Sequence, residues 1–68
     1  MMKEWISIFD DMPQIQKRLK YCTVDVRCRT EKGREFIGFY HEEQADWFEQ
    51  TASGYKRVRE EVTQWQIL

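Results

Sequence analysis

His41 is the only histidine in the chain, and it stands beside Glu42 and Glu43. Such a trio suggests a metal ligand or an acid–base group. A metal site, however, needs three or four convergent ligands, and a catalytic base needs a partner within reach. Cys22 and Cys28 are too far apart along an extended segment to chelate together, so His41 reads as a hairpin-end residue and no metal site is expected. Asp10-Asp11 and Glu42-Glu43 are adjacent pairs. Neighbouring side chains of an extended chain point to opposite faces, so neither pair forms a carboxylate dyad. Ser7 and Ser53 have no candidate base other than His41. There is no glycine-rich phosphate loop, nucleophile elbow or Cys–His pairing. The expected protein is not an enzyme and uses no cofactor.

Arg27, Arg29, Phe36 and Tyr40 carry the remaining chemistry, which is that of recognition. Arginines interleaved with aromatic rings can anchor a protein partner, because Tyr and Arg are enriched at binding hot spots. They can equally stack bases and contact phosphates. A plainer reading has Trp5 or Trp65 covering Phe36 and Tyr40, with the arginine stems lying over the rings. Trp47, flanked by Asp46 and Glu49, is the tryptophan expected to be exposed and joins the predicted partner-binding set.

These side chains depend on the stretch from Cys22 to Tyr40, which reads as a β-hairpin. Cys22, Val24, Val26, Cys28 and Thr30 alternate with Thr23, Asp25, Arg27 and Arg29, a period of two that places the sets on opposite faces of one strand. Arg34 to His41 is rich in β-formers. Between them Gly33 can take the positive φ of a tight turn. A two-residue Lys32-Gly33 loop sets Cys28 opposite Ile37 and Val26 opposite Phe39, bringing apolar partners onto one face. Arg29, Arg27 and Asp25 then meet Phe36, Gly38 and Tyr40 on the reverse face. A three-residue loop with a glycine bulge is the alternative.

Length and composition fit one small domain spanning residues 1–68. A chain this short buries only about 60% of its unfolded surface, which leaves a stability of a few kcal/mol. Self-association or a partner can add to that. The net charge of −1 argues against a general nucleic-acid binder, but it hides an asymmetry. Residues 17–34 hold seven basic and two acidic side chains, a surplus of +5, and Glu42, Glu43, Asp46 and Glu49 follow as a block of −4. Such blocks either define complementary patches for a partner or pair with each other. Cys22 and Cys28 lie about 20 Å apart at roughly 3.3 Å per residue, so no disulfide is expected between them. They read as small core residues of a reducing compartment. No apolar run reaches the length of a membrane span and no signal-peptide core is present, so the expected setting is cytoplasmic, without a membrane.

Along the rest of the chain, Met1 to Phe9 is a short β-prone stretch, stopped at Asp10-Asp11-Met12-Pro13. Pro13 can open a helical turn carrying Ile15 and Leu19, or a structured loop. Asp46-Trp47-Phe48-Glu49 suggests a third meander strand and Thr51-Ala52-Ser53-Gly54 a turn. Tyr55, Val58, Val62 and Trp65 have helical spacing, yet 62–67 also alternates as a strand. A strand is expected at 62–67, and 55–61 stays open between the two. The predicted fold is mainly β: a small antiparallel β-meander or partly closed barrel of four to five strands with at most one short helix.

Trp5-Ile6-Ser7-Ile8, Asp11-Met12-Pro13, Gly38-Phe39-Tyr40, Trp47 and Val62-Thr63-Gln64-Trp65 follow one frame. In that order they resemble the small phage and prophage proteins of the domain-of-unknown-function family 551. The family pattern runs W-I-S-V, D-x-L-P, a strand pair ending G-Y-Y, a lone W, and V-T-H-W. Gln64 stands where the family has His, the chain stops at Leu68 without the proline-bearing tail, and 14–21 is more basic than the family pattern. The resemblance implies a phage or mobile-element origin and a host-cell cytoplasm, and it supplies no catalytic or binding residues. The expected function is that of a phage accessory protein acting as a non-catalytic binding module. Its expected partner is a host protein, for example a defence or replication factor that it inhibits. The alternative is RNA, single-stranded DNA or a small nucleotide on the Arg/aromatic face. Self-association into a homo-oligomer is compatible with both.

Overall fold

A computed structural model describes residues 4–68. Residues 1–3 of the β-prone N-terminal stretch lie outside the described part. Among the described residues eight strands form one antiparallel sheet: β1 (Ile6–Ser7), β2 (Ile15–Gln16), β3 (Cys22–Thr23), β4 (Val26–Thr30), β5 (Glu35–His41), β6 (Asp46–Thr51), β7 (Gly54–Arg57) and β8 (Val62–Gln66). A single 3₁₀ turn covers Lys17–Leu19, and the described residues contain no α-helix. The predicted mainly β class is the observed one, and the sheet curls into an open half-barrel. The strand number exceeds the predicted four to five, because short pairings at 6–7, 15–16 and 54–57 join the meander and the 22–30 strand breaks in two. Among the described residues no helix is long and apolar enough to cross a membrane.

β4, β5 and β6 make the expected meander, and β7, in the stretch left open between strand and helix, extends it. β8 returns to pair with β4, and β1 pairs with the free side of β8. β3 pairs with the far end of β5 through Cys22 and His41, and β2 pairs with β3.

The hairpin at the centre departs from the predicted register by one residue. Val26 faces Gly38, Arg27 faces Ile37, Cys28 faces Phe36 and Arg29 faces Glu35. The cause is the turn. The Gly33 amide donates to the Thr30 carbonyl at 2.9 Å, Gly33 takes φ +83°, and the Thr30 amide donates to the Arg34 carbonyl at 2.8 Å. This is a three-residue loop with a glycine bulge, the alternative to the two-residue loop. Thr30 locks it: its buried hydroxyl accepts from the Lys32 and Arg34 amides and donates to Glu60. Because side chains alternate with period two, a slip of one exchanges the faces of β5.

The inner face therefore carries Val26, Cys28, Phe36, Trp47, Val58, Val62 and Trp65, with Ile6, Ile8, Met12 and Tyr40 packed against them. The Trp65 indole Nε1–H reaches the Asp11 carbonyl at 2.9 Å, so this large core side chain is also hydrogen-bonded. A second irregularity explains the helical spacing near the C-terminus. Arg29 faces Gln64 but Thr30 faces Val62, so Thr63 is an extra residue in β8. The bulge turns Val62 and Trp65, three positions apart, to the same inner face.

Candidate functional site

The predicted contact face of Arg27, Arg29, Phe36, Tyr40 and Trp47 does not assemble. Phe36 is 8% exposed and lies in the core with Cys28, and Tyr40 points to the same inner side, edge-on to Trp47 at 5.2 Å. Trp47, predicted to be exposed, is 9% exposed because it faces Tyr40 across the β5–β6 ladder, not solvent. Arg27 and Arg29 alone stay on the outer face, and they are engaged there. Both reach Glu35, at 3.9 and 3.3 Å. Arg29 also donates to Gln64 and lies 4.0 Å over the Trp5 ring. The arginine–aromatic contact foreseen for this region thus exists, with Trp5 supplying the ring.

The one-residue slip brings a different set outward. Phe39 and Phe48 face each other across the β5–β6 ladder and stack at 5.4 Å, and the Tyr55 ring meets Phe39 edge-on at 4.8 Å. Arg57, held by Asp46 at 3.0 Å and by Gln44 at 2.8 Å, lies over Phe48. His41 ends this row. Its Nδ1 accepts from the Gln44 amide at 3.3 Å, so it serves the β5–β6 turn.

Beside these rings the 18–25 segment forms the other wall of an open groove of about 490 Å³. Its lining includes Leu19, Cys22, Val24, Phe39 and Tyr55, with Arg18 and Lys20 at the rim. The groove exists because the 22–30 strand does not continue straight. Thr23 is buried, its hydroxyl accepting from the Tyr40 amide, and Val26 is buried again three positions later. Two residues must therefore lie between, and Val24 turns outward at 46% exposure. Cys22 and Cys28, predicted to share a face, consequently part: Cys28 is fully buried and Cys22 lines the groove.

Two adjacent non-glycine residues, Lys20 and Tyr21, hold left-handed backbone at φ 57° and 66°. Each such residue costs of order 1 kcal/mol. Backbone bonds from Lys20 to Lys17, from Tyr21 to Gln16 and from Glu42 to Tyr21 keep them there. Strain is thus stored in the wall that presents Leu19 and the cationic rim.

Electrostatically the groove is positive at the edge and apolar within. Arg18 and Lys20 form no ion pair among the described residues, in contrast to Arg34, which joins Glu49 at 2.7 Å and Glu60 at 2.9 Å. The two charge blocks of the sequence therefore pair only in part. Asp25 accepts from the Tyr55 hydroxyl at 3.1 Å, and that bond raises the phenol's pKa and fixes the ring. Partial burial, then the charge of Glu43, raises the Cys22 thiol, so it is a poor nucleophile at neutral pH. The groove is open on one side and cannot enclose most of a small ligand's surface, as small-molecule pockets do.

The sequence reading missed Leu19, Val24, Phe39, Phe48 and Tyr55. The available signal was Gly33 at the third loop position, which carries the slip that turns Phe39 outward. Compared with protein families, curated proteins and solved structures, the chain finds no match.

Proposed function

We propose that the protein is a non-catalytic binding module that engages another protein through the Leu19–Val24–Phe39–Tyr55 groove. The observation that carries this reading is that three of the eight exposed large apolar side chains among the described residues meet at one groove. Leu19, Val24 and Tyr55 are each at least 38% exposed and line one groove, while seven other apolar residues complete a core without them. Contiguous apolar surface with a polar rim is characteristic of interaction sites. Arg18 and Lys20 at the rim favour a partner surface with acidic residues around an apolar or aromatic side chain. In the phage setting implied by the motif frame, that partner is a host protein, and occupying its surface is the means of interference.

The nucleic-acid reading loses its geometric support, since Phe36 and Tyr40 face inward and Arg27 and Arg29 are paired with Glu35. The test compares capture of host proteins by the native chain with capture by Val24→Asp and Leu19→Glu. Both substitutions fall on exposed side chains and should leave the fold unchanged by circular dichroism. The expected result is a stoichiometric host protein retained by the native chain and lost by both variants. Equal retention by all three would remove the groove from the account.

A further inference from the structure

We infer that the open edge of β7 takes an acidic, extended segment of the partner protein as an added strand. This rests on the protein-binding reading and specifies how the partner is held. Among the described residues β7 pairs only with β6, and all four of its residues are exposed. The other terminal strands, β1 and β2, are two residues long and offer little backbone.

The phase of the ladder fixes which groups β7 offers. The Val58 amide donates to the Trp47 carbonyl at 2.9 Å, and the pairing continues as Arg57 with Phe48, Lys56 with Glu49 and Tyr55 with Gln50. Inward bonding recurs every second residue in an antiparallel pair, so Val58, Lys56 and Gly54 bond to β6. Tyr55 and Arg57 point their N–H and C=O groups away from the sheet. An added strand gains these two donors and two acceptors without disturbing any existing bond.

The side chains select the occupant. Lys56 lies opposite Glu49 in the β6–β7 ladder, on the inner side of the sheet, where Arg34, Lys56 and Arg59 line a second groove of about 760 Å³ with Glu49 and Glu60, both carboxylates being bound by Arg34. Lys56 and Arg59 form no ion pair among the described residues. Tyr55 and Arg57 stand on the opposite, aromatic side. A segment with acidic residues at alternate positions and apolar ones between them satisfies both sides. Short basic edges commonly guard against self-pairing, and Lys56 does so here, since a second β7 would bring it against its own copy. The same charge favours an acidic strand.

The experiment titrates the ¹⁵N-labelled full chain with a capped octapeptide of four Glu-Val repeats, and separately with its Lys-Val counterpart. The expected result is shifted Tyr55 and Arg57 amides, with their hydrogen exchange slowed about tenfold by the Glu-Val peptide alone. Arg57→Pro removes an outward N–H and no ladder bond, and should weaken that peptide about tenfold. Lys56→Glu with Arg59→Glu, which leaves the backbone intact, should transfer the preference to the Lys-Val peptide. The inference is overturned if neither amide responds, or if the Lys-Val peptide or an oligothymidine moves them equally. Shifts on dilution of the chain alone overturn it too, because they mean self-pairing. Shifts confined to Leu19, Val24 and Phe39 overturn the edge mode and leave the groove reading standing. Failure of that reading appears separately, as host-protein capture indifferent to Val24→Asp.

Discussion

Gly38→Ala separates the observed register from the one the alternation of residues favours. In the structure Gly38 faces Val26 on the inner side and Glu49 on the neighbouring strand. A methyl group built there lies well inside contact distance of the Phe48 carbonyl oxygen, 2.9 Å from its carbon and 3.1 Å from the Glu49 Cα. All three atoms are backbone, so no side chain can swing away, and β5 and β6 must part by roughly an ångström. Overpacking costs about 1–3 kcal/mol where side chains can adjust, so a rigid backbone places this case at about 3 kcal/mol or more. A 68-residue domain has roughly 3–10 kcal/mol in total. The midpoint of thermal unfolding by circular dichroism should fall by at least about 12 °C, or the cooperative transition should vanish. In the two-residue-loop register Gly38 faces Arg27 on the outer side, where a methyl is harmless. A midpoint within about 4 °C of the native chain would refute the register and every face assignment built on it.

Gly33→Ala supplies a contrast: nothing lies within 4 Å of the added carbon, so only the φ of +83° is strained and the loss should be about 1–2 kcal/mol by chemical denaturation. Thr30→Val keeps the shape but leaves the Arg34 and Lys32 amides and Glu60 without the hydroxyl. The expected cost is about 1–3 kcal/mol, read as a midpoint lowered by roughly 5–15 °C. Burial, then the charge of Asp25, pushes the Cys28 thiol up to about 12, against a weaker opposing bond from Gly38. An aromatic disulfide reagent at pH 8 should therefore titrate one thiol, Cys22, in the folded chain and two in denaturant. Because the folded pKa lies above the unfolded value of 9.0, the associated stability is complete below pH 9 and is lost as pH climbs toward 12. It amounts to about 4 kcal/mol at most.

The turns and strands of this fold were legible where local chemistry decides. Gly33 and the Thr51–Gly54 turn mark the β4–β5 and β6–β7 hairpins, and Trp47 and Trp65 fall in strands as the β-rich pattern requires. Phase was not legible, for a physical reason. β5 carries large apolar residues on both faces, Phe36 and Tyr40 on one and Ile37 and Phe39 on the other, so either register buries two of them. Only the backbone of the turn breaks the tie, and Phe36 and Tyr40 left the predicted contact face when it did. Thr23 hid the break after β3 in the same way. A threonine reads as solvent-facing, yet it is 3% exposed because its hydroxyl satisfies the Tyr40 amide. In β8 the bulge at Thr63 let a strand imitate helical spacing.

The most direct measurement places a photo-crosslinking phenylalanine analogue at Val24, in the groove, and at Lys32, exposed in the β4–β5 loop and outside its lining, with both chains expressed in host cells. Irradiation should join Val24 to one discrete host protein and leave Lys32 free. Crosslinks from Lys32 with none from Val24 would contradict the assignment of the groove as the surface that meets a partner.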